Sequence, residues 1–129
     1  MPLAITGQEY VWQKVWKKFG MTDEQSRAFF TGPSHLAWQR MGNLDRWLGP
    51  LPQGFIDNQF KLQQQILKRE RCFGMKPILP AFAGHVPVDL KSKYPNIKLT
   101  NLGSYETGKQ NDAFFLDPMD PLFLKIQKT

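Results

Sequence analysis

A chain of 129 residues with one cysteine, Cys72, is sized for one domain with a moderate core, and it excludes an internal disulfide framework or an all-cysteine metal site. Its 41% hydrophobic content, rich in Phe and Trp, argues against disorder, while no apolar run approaches the roughly 18 residues of a membrane span. The net charge of +6 raises nucleic acid as a partner, yet the cations are dispersed over several predicted helix faces (Lys14, Lys17, Lys18, then Lys61, Lys68, Arg69, Arg71, then Lys91, Lys93, Lys98), which reads as solvated surface.

The start has no basic n-region of a signal peptide, and Leu3-Ala4-Ile5 reads as a strand seed. From Gln8 to Phe19, apolar residues recur at Val11, Trp12, Val15, Trp16 and Phe19, the spacing of an amphipathic helix, and Gly20 stands where a left-handed C-cap is needed. Strand, turn and helix together predict a βα unit. Thr22-Asp23-Glu24-Gln25 has the form of a capping box opening a short helix through Phe29-Phe30, stopped by Thr31-Gly32-Pro33-Ser34. The following stretch, His35 to Pro52, is crowded with aromatics, glycines and prolines and has no clean period. A long non-repetitive loop inside a compact domain is usually functional, and its tryptophans need something to cover.

Asp57 to Arg71 is predicted as a helix, with Ile56, Phe60, Leu62, Ile66 and Leu67 approximating one face and Cys72 buried or half-buried at its end. The uncharged run Ile78 to Phe82 predicts a strand covered on both faces, as in a parallel sheet, although Pro77 and Pro80 must sit where no donor is needed. Ala83-Gly84-His85 would then bring a hydrogen-bonding ring to the strand's C-terminal end, where α/β sheets and barrels bind ligands; the alternative is a tight turn whose histidine caps or meets water. Val88 to Tyr94 predicts a short helix, Ile97 to Thr100 a brief strand, residues 101–108 a polar loop and Ala113 to Leu116 a further apolar stretch. Asp120 and Pro121 open a last helix running to Thr129 with an acidic cap and an N1 proline.

These elements predict an α/β fold: a partial (βα)8 barrel of about three βα units with a long aromatic-rich loop, since a whole barrel needs about 250 residues. Residues 1–129 are therefore expected to be the N-terminal portion of a larger catalytic domain, truncated at both ends. Aromatic faces with a few planar polar groups suit pyranose rings, so sugar is one chemically reasonable ligand, on a signal that is weak taken alone. No set of histidines and acids has ligand spacing, so neither a metal nor a cofactor is indicated.

Four motifs in one order carry a resemblance: Phe29-Phe30-Thr31-Gly32-Pro33, Trp38-Gln39-Arg40-Met41-Gly42-Asn43-Leu44, Gly49-Pro50-Leu51-Pro52, and Leu79 to Pro87. Together with Gly7-Gln8-Glu9, Trp12-Gln13, Gly103-Ser104, Asp117-Pro118 and Asp120-Pro121, the chain closely resembles the α-N-acetylglucosaminidases of glycoside hydrolase family 89 over essentially its whole length. The resemblance implies an early part of a catalytic (βα)8 barrel, in a protein exported in bacteria or lysosomal in animals. It implies removal of terminal α-linked N-acetylglucosamine with retention, by two glutamates acting as acid/base and nucleophile. The acid/base residue of that family sits in an Asn-Glu pair, which this chain does not contain, so no catalytic residue is assigned. Glu9, Asp45, Glu106 and Asp112 are not promoted; Glu9 is expected to stabilise the first helix turn.

What the resemblance carries over is substrate binding. Trp38 and Met41 match positions lining the bound ring, as an apolar wall against the sugar face and acetyl methyl. Tyr105 stands where family members have tryptophan; it keeps an aromatic face with less area and an added hydroxyl. His85 either touches substrate or holds its loop by hydrogen bonds, and His35 is assigned to structure. The implied partners are the carbohydrate and the remainder of the barrel, or further copies of the segment. Alternatives are a carbohydrate-binding protein without hydrolysis, or a degenerate barrel piece acting as an interaction module.

Overall fold

In a computed structural model of the protein, residues 7–36, 46–78, 81–103 and 113–129 are described. The first helix, α1, runs Gln8–Lys18. Gly20 takes φ 85°, its N–H donates to Lys17 O at 3.1 Å and the N–H of Met21 to Trp16 O at 3.0 Å, the paired bonds of a Schellman stop. The second, α2, is Asp23–Phe29, opened by a complete capping box: Gln25 N donates to Thr22 Oγ1 at 3.1 Å and Thr22 N to Gln25 Oε1 at 2.9 Å. A short 3-10 turn, Pro33–His35, follows.

The long helix α3 is Gln53–Cys72, beginning four residues before the predicted Asp57. Pro52 cannot continue a helix backwards, and Leu51 and Ile56, 0% and 1% exposed, pull the new first turn onto the core. The buried stripe of α3 is Ile56, Gln63 and Leu67, while the expected Leu62 is 41% exposed and Cys72 is exposed, neither buried nor half-buried. On α1, likewise, Val11 faces outward, and Glu9 and Gln13 are buried with Val15 and Trp16.

The seam between α1 and α3 is therefore partly polar. Gln13 and Gln53 exchange amide hydrogen bonds at 2.8 and 3.2 Å, Gln53 also donates to Asp57 at 3.0 Å, and Tyr10 stacks on Phe60 at 4.1 Å. Paired, partly buried amides of this kind favour one register between two helices. Gly7, at φ 83°, lets the α1 entry pass the α3 backbone; a Cβ there would lie 2.6 Å from Gln59 O.

The strands are short: β1 His85–Val86, β2 Leu99–Asn101 and β3 Phe114–Leu116, with helix α4, Leu90–Lys93, between the first two. They form one sheet in the order β1-β3-β2, both pairs antiparallel, with His85 opposite Phe115 and Leu99 opposite Leu116. This corrects the expectation for the central stretch. Ile78 is 73% exposed, Phe82 is buried, and neither they nor Ala81 are in a strand; Leu79 and Pro80 lie outside the described residues, among which the ladder begins at His85. Proline at 77 and 80 denies the ladder its donors, and the run's apolarity reflects surface as well as core. His85 thus sits within a strand, paired antiparallel, and among the described residues 81–84 no strand precedes it. The predicted strand seed at Leu3 lies outside the described residues.

The last helix, α5, is Pro121–Gln127, with Asp120 capping Leu122 N at 2.9 Å through one carboxylate oxygen and accepting from Lys98 N at 3.1 Å through the other. The core joins all of these elements around Trp16, which meets Phe29 and Phe82 edge-on at 6.2 and 6.3 Å; Phe82 also packs on Trp12 and Phe123. Among the described residues the molecule is mixed helix and sheet, and no helix is long and apolar enough to cross a membrane.

Candidate functional site

The site is assembled where α2 ends against β1. Phe29, the last residue of α2, is 4% exposed, and its ring lies 5.0 Å from the imidazole of His85, which also stacks on Phe115 at 5.3 Å. Two motifs separated by some fifty positions thus meet through one histidine. Gly84 makes the approach possible: at φ 103° it accepts from Leu116 N at 2.8 Å, and a Cβ there would sit 3.1 Å from the Phe123 ring.

The aromatic-rich loop is secured where its described ends meet. Leu36 is 5% exposed, and the His35 ring lies 4.2 Å from Trp47. Gly32 N donates to Trp47 O at 2.9 Å, Arg46 N to Phe29 O at 3.2 Å and Leu51 N to Arg27 O at 3.0 Å. The two chains run so close that a Cβ on Gly32 would fall 2.1 Å from Leu48 O, and one on Gly49 would fall 2.8 Å from Phe30 O. Arg46 and Leu48 both adopt left-handed backbone, φ 63° and 51°. Side chains disfavour that region by about 1–2 kcal/mol each, so the surrounding contacts must hold them there. The Arg46 guanidinium reaches Asp89 at 2.7 Å, across 43 positions of sequence.

Of the predicted sugar-facing residues, the structure places His85 at this junction. Trp38, Met41 and Tyr105 lie outside the described residues, as do Asp45, Glu106 and Asp112. His35 packs on Trp47, as a structural residue would. The sequence carries no sign of the Arg46–Asp89 pair, because neither residue belongs to a motif and nothing local links them. A groove of about 530 Å³ between Tyr94, Pro95 and Ile97 on one side and Pro121 and Leu122 on the other includes none of the predicted site residues.

The described carboxylates are largely committed to structure. Asp57 accepts from Gln53, Asp89 from Arg46, Asp117 from Met119 N at 2.8 Å, and Asp120 from two backbone amides; Glu9 is buried in the first turn of α1. Among the described residues, no group of three His, Cys, Asp or Glu side chains converges as metal ligands would.

The model of the alpha-N-acetylglucosaminidase (NAGLU) tim-barrel domain matches residues 1–129. The chain belongs to this family. It is 45% identical over 125 residues to the human alpha-N-acetylglucosaminidase, covering 95% of this chain and 17% of that protein. Among solved structures it resembles a family 89 glycoside hydrolase from Clostridium perfringens in complex with 2-acetamido-1,2-dideoxynojirmycin, with TM-score 0.84 and 28% identity over 96% of this chain and 14% of that one. A C. perfringens protein of the same family with two glutamates replaced by glutamine, in complex with its substrate GlcNAc-alpha-1,4-galactose, is as similar, at TM-score 0.84 and 28% identity. The alpha-N-acetylglucosaminidase domain family thus accounts for the whole of this chain, while the chain spans less than a fifth of the relatives it matches.

Proposed function

We propose that this chain is a segment of the (βα)8 catalytic domain of a retaining exo-α-N-acetylglucosaminidase. On this reading residues 1–129 are the domain's N-terminal portion, truncated at both ends and contributing about three βα units. The segment forms part of the pocket for terminal α-linked N-acetylglucosamine, and the two catalytic glutamates lie elsewhere in the protein. The observation that carries the reading is similarity along almost the whole chain to the human enzyme at 45% identity, joined by a neighbour solved with a GlcNAc-α-linked substrate.

The chemistry divides accordingly. Retention requires two carboxyl groups about 5–5.5 Å apart across the scissile bond, one to protonate the leaving oxygen and one to attack the anomeric carbon. Asp57, Asp89, Asp117 and Asp120 spend their oxygens on caps, amides and an arginine, which supports leaving catalysis to other parts of the protein. Trp38 and Met41 are assigned the apolar wall and Tyr105 a second aromatic contact. His85 is assigned as the polar member, its ring held by Phe29 and Phe115.

The test is kinetic. In the full-length protein carrying this segment, Trp38→Ala is expected to raise KM for an aryl α-N-acetylglucosaminide about 10-fold, the loss of about 1.4 kcal/mol of ring contact. Met41→Ala should act in the same direction with a smaller change. An unchanged KM in Trp38→Ala would remove Trp38 from the pocket.

A further inference from the structure

We infer that the groove between the α4–β2 connection and the start of α5 receives an acidic stretch of the same protein from outside residues 1–129, a carboxylate carried beside a large apolar side chain. The inference rests on the proposed reading in taking this chain as a segment of a longer protein. The groove, of about 530 Å³, falls in the size range of ligand-binding clefts and holds none of the predicted sugar-facing residues. Its walls are tied together without any partner. One Asp120 carboxylate oxygen accepts from Leu122 N at the start of α5, and the other accepts from Lys98 N just before β2. Ile97 and Leu122 belong to the buried core, and Tyr94 packs against it with its ring 6.4 Å from Phe19. Pro95 and Pro121 stand exposed on the two lips, each with its backbone φ fixed. A floor already held in place has little ordering left to lose when it is covered.

The charge beside this floor selects the occupant. Asp120 is the carboxylate in the lining, and both of its oxygens already accept backbone amides. Lys93 and Lys125 line the same groove and are exposed, and among the described residues neither pairs with a carboxylate. Both side chains run to the stop of α1. A Cβ on Gly20 would lie 3.8 Å from Lys93 Cδ, and Lys125 Nζ stands 6.0 Å from the ring centroid of Phe19. Lys17, nearby on α1, is by contrast satisfied by Asp23 at 3.3 Å. An apolar floor with two unpaired ammonium groups is complementary to a carboxylate next to an apolar side chain. The chain covers 17% of the human relative and 14% of the C. perfringens one, so on the proposed reading most of the protein remains to pack around it. A stretch of the same chain is held at high effective concentration, which contacts as weak as exposed ion pairs require.

The test is zero-length cross-linking of the full-length protein with a carbodiimide, which joins an ammonium group to a carboxylate touching it, read by peptide mass spectrometry. Lys93 or Lys125 is expected to be linked, within one molecule, to an aspartate or glutamate outside residues 1–129. Acetylation of both lysines should also run about 5-fold slower in the native than in the urea-denatured protein, the factor for a groove filled about four-fifths of the time. Acetylation at the denatured rate with no cross-link would overturn the inference. A cross-link formed only between molecules would overturn it too, by making the occupant a second copy, and protection with no cross-link would overturn the acidic chemistry. A full-length protein with no turnover of an aryl α-N-acetylglucosaminide would overturn the functional reading, and the cross-link would still decide the docking claim.

Discussion

At the scale of single residues, the site is governed by close approach more than by charge. Gly32 has φ −59°, open to any residue, yet a Cβ would meet the Leu48 carbonyl at 2.1 Å, which backbone cannot yield without parting the two chains. Gly32→Ala is therefore expected to destabilise the chain by about 2 kcal/mol, as overpacking does, read from a denaturant midpoint. A wild-type midpoint would mean that residues 46–49 do not run against Gly32 as described. Residue chemistry is partly legible in the sequence: Gly20 at the helix stop follows from local pattern. The Arg46–Asp89 pair is not, because its meaning arises only when residues 43 apart are brought to 2.7 Å.

At the scale of elements, the sequence speaks wherever a signal is local and falls silent where pairing is distant. The capping box and the Asp120 cap are written in adjacent residues and form as written. Thr22→Ala, which removes the Oγ1 acceptor from Gln25 N, should destabilise by about 1 kcal/mol in thermal or urea unfolding. No change would mean that α2 is held by packing alone. The start of α3 is obscured because Pro52, Gln53 and Gly54 read as a turn; burial of Leu51 and Ile56 decides otherwise. Gly54 is exposed, and a Cβ added there would meet nothing within 4 Å, so Gly54→Ala should stabilise by roughly 0.5 kcal/mol by restricting the unfolded chain. A loss of stability there would show that the helix begins later. The sheet is the least legible element. A strand of two residues has no period to read, and the partner of His85 is Phe115, a pairing that no local pattern announces.

At the scale of the molecule, much apolar surface is uncovered. Phe73, Met75 and Ile78 are 64%, 57% and 73% exposed within six positions of one another, immediately after α3. On the proposed reading the rest of the protein would cover this stretch, and in the isolated chain it would favour self-association. Size-exclusion of the 129-residue chain should show higher species that diminish in a Phe73→Ser/Ile78→Ser variant; a monomer at all concentrations would count against a covering partner. The same whole-molecule logic underlies the proposed division between pocket wall and catalytic carboxylates. Its most direct test is the hydrolysis of an aryl α-N-acetylglucosaminide by the isolated 129-residue chain across a range of pH. The account predicts release at the buffer rate throughout. Saturable turnover that Glu9→Gln abolishes would contradict it, by placing a catalytic carboxylate inside the segment.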